Sequence, residues 1–181
     1  MSIEKSSHVD RWVWGTETIL WGFKPDHDYT LKVLEPLVGR PGCLSLQYHN
    51  RKTESWITWQ GIAWGLLVIE DTVCTRIMRS GDIQAIDRGV IHRLMGLSPD
   101  CKVIEPSTPD HHAADKNQPK DVIRLHCVLG RDVIAPRDAA EAVIVAQAIK
   151  ITEEAIACVE AGKLPPEYGA EILARNGAGQ I

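Results

Sequence analysis

The stretch that most limits what this chain can fold into spans residues 42–61, G-C-L-S-L-Q-Y-H-N-R-K-T-E-S-W-I-T-W-Q-G. Leu44, Leu46 and Tyr48 fall on one side of an extended backbone, and Ser45, Gln47 and His49 on the other. That is the period-2 pattern of a strand with one apolar and one polar face. Glu54 follows after a short turn and heads a second apolar strand over 55–59. An outgoing strand with Gln47 and His49 inward, and a returning strand with Glu54, bring three potential ligands to one point. His92, at the end of G-D-I-Q-A-I-D-R-G-V-I-H (81–92), offers a fourth. One amide oxygen, two imidazoles and one carboxylate form a mixed N/O donor set, suited to zinc, iron or manganese and poor for a thiolate-seeking ion.

Short strands of this kind recur. Residues 29–34, 62–69, 72–78, 83–86, 90–94, 101–105 and 122–128 are apolar or alternating, and turn signals such as Glu70-Asp71 and Gly81-Asp82 separate them. Strands at intervals of about 8–12 residues predict an all-β sandwich or barrel, with a double-sheet jelly roll among the closures. Residues 1–10 read as a polar arm, and 106–121 as a long polar, proline-bearing loop of a length usually kept for function or disorder. From Arg137 the period changes. Ala139, Ala142, Val143, Ala146, Ile149 and Ile156 recur at helical spacing up to about Glu160, with Gly162 as a stop and a second helical piece over 167–175. The expected organisation is a barrel over 8–132 and a helical extension over 133–181. The apolar face of that helix needs cover, on its own barrel or on a second subunit.

At 181 residues the chain has room for one well-buried domain and an extension. A net charge of −4 provides no basic field for nucleic acid and no polybasic membrane patch. Five scattered cysteines without a CxxC, behind an N-terminus with no hydrophobic leader, predict reduced thiols and a cytoplasmic protein. No apolar run approaches the ~18 residues of a membrane span.

Gly42, the Q-x-H-x4-E pattern at 47, 49 and 54, and Gly61 resemble the first cupin motif. Gly81-x5-Asp87-Arg88-Gly89-x2-His92 resembles the second, with Asp87 where proline is common. A narrower likeness adds Val13-Trp14-Gly15, residues 45–56, Gly89-Val90-Ile91-His92-Arg93-Leu94, Glu105-Pro106-Ser107-Thr108-Pro109, Asp121-Val122-Ile123-Arg124-Leu125 and Gly130-Arg131. Together these resemble, over roughly residues 10–131, the cupin domain of mannose-6-phosphate isomerases of the type fused to a GDP-mannose pyrophosphorylase. The chain departs from that pattern at Asn50-Arg51 and Ser55, where the isomerases have histidines.

The resemblance implies an all-β double-stranded β-helix, the cupin jelly-roll barrel, here followed by an α-helical extension. It implies a metal-dependent sugar-phosphate isomerase of the aldose–ketose type. Gln47, His49, Glu54 and His92 would hold a divalent ion, zinc first, with iron, manganese or nickel as alternatives. Glutamine is a weaker donor than imidazole and leaves the ion more Lewis-acidic. Lys32, read as inward-facing, is the candidate for moving a proton or binding phosphate. Arg51, Lys52, Arg93 and Arg124 are the candidates for the phosphate, because guanidinium forks match its oxygens. The expected partner is a small-molecule sugar phosphate, and a homodimer is expected because cupins commonly pair and the helix needs a surface. Other cupin chemistry (a dioxygenase or an epimerase) and a non-catalytic sugar-binding barrel are the alternatives.

Overall fold

A computed structural model describes residues 7–22, 24, 26–115, 117–176 and 178–180. The strands in chain order are β1 (His8–Trp12), β2 (Gly15–Trp21), β3 (Thr30–Pro36), β4 (Leu46–His49), β5 (Glu54–Gln60), β6 (Ile62–Ile69), β7 (Thr72–Arg79), β8 (Asp82–Ile86), β9 (His92–Gly96), β10 (Lys102–Ser107), β11 (Val122–His126) and β12 (Ala178–Gln180). The helices are α1 (His111–Ala114), α2 (Ala139–Glu160) and α3 (Ala170–Arg175). Seven strands form one sheet, in the order β1-β2-β3-β10-β5-β8-β12, and five form the second, β11-β4-β9-β6-β7. All the paired strands run antiparallel, and the strand order leaves two facing sheets of a jelly roll.

Alternation along the strands assigns residues to two separate cores. Between the sheets lie Leu34, Trp56, Ile86 and Val103 from the first sheet, and Ala63, Leu67, Cys74, Met78 and Leu94 from the second. The opposite face of the five-stranded sheet carries Leu46, Tyr48, Trp64, Leu66, Val73 and Met95, and these pack against Val145, Ala148, Ala155 and Ile156 of α2. The polar face of β4 therefore points into the barrel while its apolar face points out, which is tolerable only because α2 covers it. Leu44 precedes the strand and lines the inner cavity instead of joining Leu46 and Tyr48.

α2 begins where its caps dictate. Asp138 accepts the N–H of Glu141 at 2.8 Å, and Glu141 in turn accepts the N–H of Arg137 at 2.6 Å, a reciprocal capping arrangement. Its buried face is Val145, Ala148, Thr152, Ala155 and Ile156, rotated from the stripe that the sequence predicts. Val143 is 69% exposed, and Ala142 and Ala146 also face solvent. This helix is apolar nearly all round, so periodicity admits two stripes. The one with alanines and threonine at its centre lets the helix approach the sheet closely.

Two further expectations change. Residues 8–10, read as the end of a polar arm, belong to strand β1, which pairs with β2, and residues 1–6 lie outside the described residues. The loop 106–121 holds the end of β10 and the short α1. Two local features fix the framework. Glu70 and Asp71 both adopt positive φ in the two-residue turn between β6 and β7, the conformation that matches strand twist. At Gly42 a Cβ would lie 1.6 Å from the Leu37 carbonyl oxygen, so the approach to β4 is open only to glycine.

Candidate metal centre and its cavity

The turn over residues 50–53 joins β4 to β5 and is held from a distance. Asp121, just ahead of β11, accepts the backbone N–H groups of Arg51 at 3.1 Å and Lys52 at 2.9 Å on one carboxylate oxygen. Clamped in this way, the turn leaves the Arg51 side chain 63% exposed and sends Lys52 back into the barrel. Gln47 and His49 leave β4 on its inward face, and Gln47 lies opposite His92 in the β4–β9 pairing. Glu54, the first residue of β5, enters from the facing sheet.

His49, Glu54 and His92 converge, with ligand atoms all within 4.8 Å of one another. His49 Nε2 is 3.6 Å from Glu54 Oε2, and His92 Nε2 is 3.4 Å from Glu54 Oε1. The two imidazoles stack at 5.4 Å between centroids, and Trp56 packs edge-on against His92 at 5.6 Å. His92 Nδ1 lies 2.9 Å from the carbonyl oxygen of Val90. A carbonyl can only accept, so the neutral ring carries its proton on Nδ1 and Nε2 is left as a bare lone pair. Burial, with the Lys52 ammonium and His92 alongside, pushes His49 down to about 2. Its ring is therefore neutral and able to donate a lone pair.

Among the described residues neither nitrogen of His49, nor Nε2 of His92, has a hydrogen-bond partner. Buried polar atoms are rarely left so, and the two Nε2 atoms converging on the Glu54 carboxylate suit a cation with N/O preference. The His/Glu/His set can hold a metal ion. Gln47 lines the cavity beside it, with Oε1 accepting from Ser45 Oγ at 2.5 Å.

Lys52 complicates this centre. Its ammonium contacts Glu54 Oε2 and lies 3.0 Å from Glu105 Oε1. Burial alone would depress Lys52, but Glu105 and Glu54 outweigh it and hold the amine protonated. Burial likewise works to raise Glu54, and Lys52 more than reverses it.

Above the cluster a cavity of about 660 Å³ reaches His49, Gln47 and Lys52 at its floor and is walled by Trp12, Trp14 and Leu34. Arg51, Lys120, Arg124 and Arg131 stand around it. Arg124 donates to the Asp132 carbonyl at 3.1 Å, and Arg131 to Ser45 Oγ at 3.3 Å. Burial and the neighbouring Arg131 charge both lower the Arg124 pKa, as expected where two guanidiniums share one side of a cavity.

Lys32 points inward as expected, 6% exposed, with Asp110 at 3.2 Å and Glu17 at 3.6 Å. Burial favours its neutral form, but Glu17, Glu105 and Asp110 together raise its pKa. A lysine held protonated is a poor base, and suits the phosphate-binding half of the expected role better than proton abstraction. Arg93 is corrected outright. It is wholly buried on the outer face of β9, donating to Thr152 Oγ1 at 2.9 Å and to the His126 carbonyl at 3.0 Å. A residue next to inward-facing His92 on a strand must face the other way, so Arg93 ties β9 to α2 and β11 and cannot reach a ligand.

Sequence reasoning assigned no role to Glu17, Glu105, Asp110, Asp121 or Arg131, all of which line this cavity. A signal existed for Glu17, which alternates with buried Ile19, and for Glu105, which alternates with Val103. No local pattern announced Asp121, whose partners lie 69 and 70 residues away.

No family model matches the sequence, and no curated protein does. Solved structures do match. CapF bound to the inhibitor 3-isopropenyl-tropolone aligns with a TM-score of 0.54 at 18% identity, over 66% of this chain and 34% of that one. The capsular polysaccharide assembling protein CapF from Staphylococcus aureus aligns at 0.53 and 15% identity, over 69% and 33%. Oxalate decarboxylase from Bacillus subtilis aligns at 0.52 and 14% identity, over 66% and 30%. The fold is the cupin fold. This chain spans about a third of the length of those proteins, and at such identities the likeness is one of fold. The C-terminal helix α2 packs on its own barrel. Among the described residues no helix is long and apolar enough to cross a membrane.

Proposed function

We propose that this protein is a metal-dependent cupin enzyme acting on a phosphorylated sugar, in the aldose–ketose isomerase class. The observation that carries the reading is an N/O cluster able to hold a divalent cation, with His49 reaching a cavity around which Arg51, Lys120, Arg124 and Arg131 stand. His49, Glu54 and His92 would hold the ion, with Gln47 as a fourth donor once released from Ser45. Bound there, a divalent ion supplies Lewis acidity to sugar oxygens. Arg51, Arg124 and Arg131 bind the phosphate, and Lys32 adds a fixed positive charge deeper in the cavity. Glu17 is a better proton carrier than Lys32. Its burial raises its pKa even against the lowering effect of Lys32, towards the range where a carboxyl both takes and returns a proton.

A second reading has its own observation. The Lys52 ammonium on Glu54 already supplies that carboxylate with a positive partner, which favours a barrel that binds sugar phosphates without turning them over. The two readings separate in one experiment, in which chelated protein is reconstituted with Zn2+ or Mn2+ and assayed with mannose 6-phosphate in a fructose 6-phosphate-coupled assay. The isomerase reading expects turnover that chelation abolishes and that His92→Ala lacks. Stoichiometric metal without turnover on any hexose phosphate refutes the isomerase reading.

A further inference from the structure

The position of Lys52 relative to the metal cluster has a specific consequence. Its ammonium sits on Glu54 Oε2, the same oxygen that faces His49 Nε2, while Oε1 faces His92. A cation shared by both imidazoles and this carboxylate has to compete for the ground Lys52 holds. Yet Lys52 has a second carboxylate, Glu105, at 3.0 Å on its other side. Glu105 also lies opposite Lys32 in the β10–β3 register, and Lys32 contacts Glu17 and Asp110. Flanked by two carboxylates, Lys52 can stay in the barrel when an ion enters, provided it shifts its hold from Glu54 to Glu105.

We propose that Lys52 is a positioning residue of the metal centre, a tethered cation that competes with the ion for Glu54 and retreats to Glu105 when an ion binds. The clamped turn makes this possible, because Asp121 fixes the backbone of Lys52 and leaves only its side chain to move. The affinity of the centre is then set by an internal competition. It is weakened by Lys52 and partly restored by Glu105. This inference rests on the metal-centre part of the function proposed above and is independent of the substrate.

The test is calorimetric titration of the full chain with Mn2+, an ion that prefers N/O ligands and so leaves the free cysteines aside. Lys52→Met is expected to bind Mn2+ at least about tenfold more tightly than the native protein, equivalent to ~1.4 kcal/mol. Glu105→Gln, which removes the retreat, is expected to bind it about tenfold more weakly, and that penalty shrinks in the Lys52→Met background. Lys52→Gln serves in place of Lys52→Met if a melting curve shows the latter unfolded. Equal or weaker Mn2+ binding by the Lys52 variants overturns the inference while leaving the metal centre standing. No Mn2+ binding by any variant overturns both. A purely structural lysine would change the melting temperature and leave the Mn2+ affinity where it was.

Discussion

Replacing Ile156 by alanine asks whether α2 is part of the barrel or merely follows it. Ile156 is fully buried, in the cluster with Leu46, Tyr48, Trp64 and Met95. The substitution removes three carbons, worth about 2.4 kcal/mol at about 0.8 kcal/mol per buried methylene. Incomplete collapse of the cavity left behind raises the expected cost to about 3–4 kcal/mol. Val143, on the solvent side of the same helix, is the control, and Val143→Ala is expected to cost less than about 0.5 kcal/mol. Urea unfolding followed by both far-ultraviolet circular dichroism and tryptophan fluorescence gives the two values. The probes should report one coincident transition, because helix and sheet share a core that includes Trp64. A loss below about 1 kcal/mol for Ile156→Ala, or a helical transition that precedes the fluorescence transition, would refute the assignment of α2 to the barrel.

Three other predictions bear on the site and its frame. Arg93→Lys should destabilise the protein by about 1–3 kcal/mol, because an ammonium cannot span Thr152 and His126 as the guanidinium does, and, on the proposed function, should leave the KM for sugar phosphate unchanged. A rise in KM at undiminished stability would contradict the placement of Arg93. Glu17 has its pKa raised above 4.5 by burial, so its contribution to stability is present below about pH 4.5 and is lost as pH rises through its higher folded value. Glu17→Gln should therefore flatten the stability profile across that window in urea titrations, and an unchanged slope would count against a buried, proton-retaining Glu17. Gly42→Ala drives a methyl into the Leu37 carbonyl and should cost more than about 4 kcal/mol, read as loss of soluble protein or of a cooperative melt; a normal melt contradicts the close approach.

Much of this was legible because strands write their faces into the sequence every second residue. The β4 alternation placed Gln47 and His49 inward, the spacing placed Glu54 and His92 near them, and the strand over 62–69 was read with its observed bounds. The same rule would have corrected Arg93, since it adjoins His92. Trp56 and Trp59 separated as their odd spacing requires, one 2% and the other 64% exposed. Other features leave no local trace. The inward turn of Lys52 depends on Asp121, far along the chain, and no period describes a turn residue. The docking face of α2 depends on which of two apolar stripes meets small residues, and β12 pairs with β8 through a glycine-rich segment whose composition predicts no strand.

The central claim is that His49, Glu54 and His92 enclose one divalent ion beside the cavity that His49 lines. Crystals grown with zinc and measured on both sides of the zinc absorption edge test it most directly. The account predicts a single strong anomalous peak inside the barrel, at ~2.0–2.1 Å from an imidazole nitrogen of each histidine, with the Lys52 ammonium withdrawn to Glu105. No peak there, with Lys52 still resting on Glu54, would contradict it.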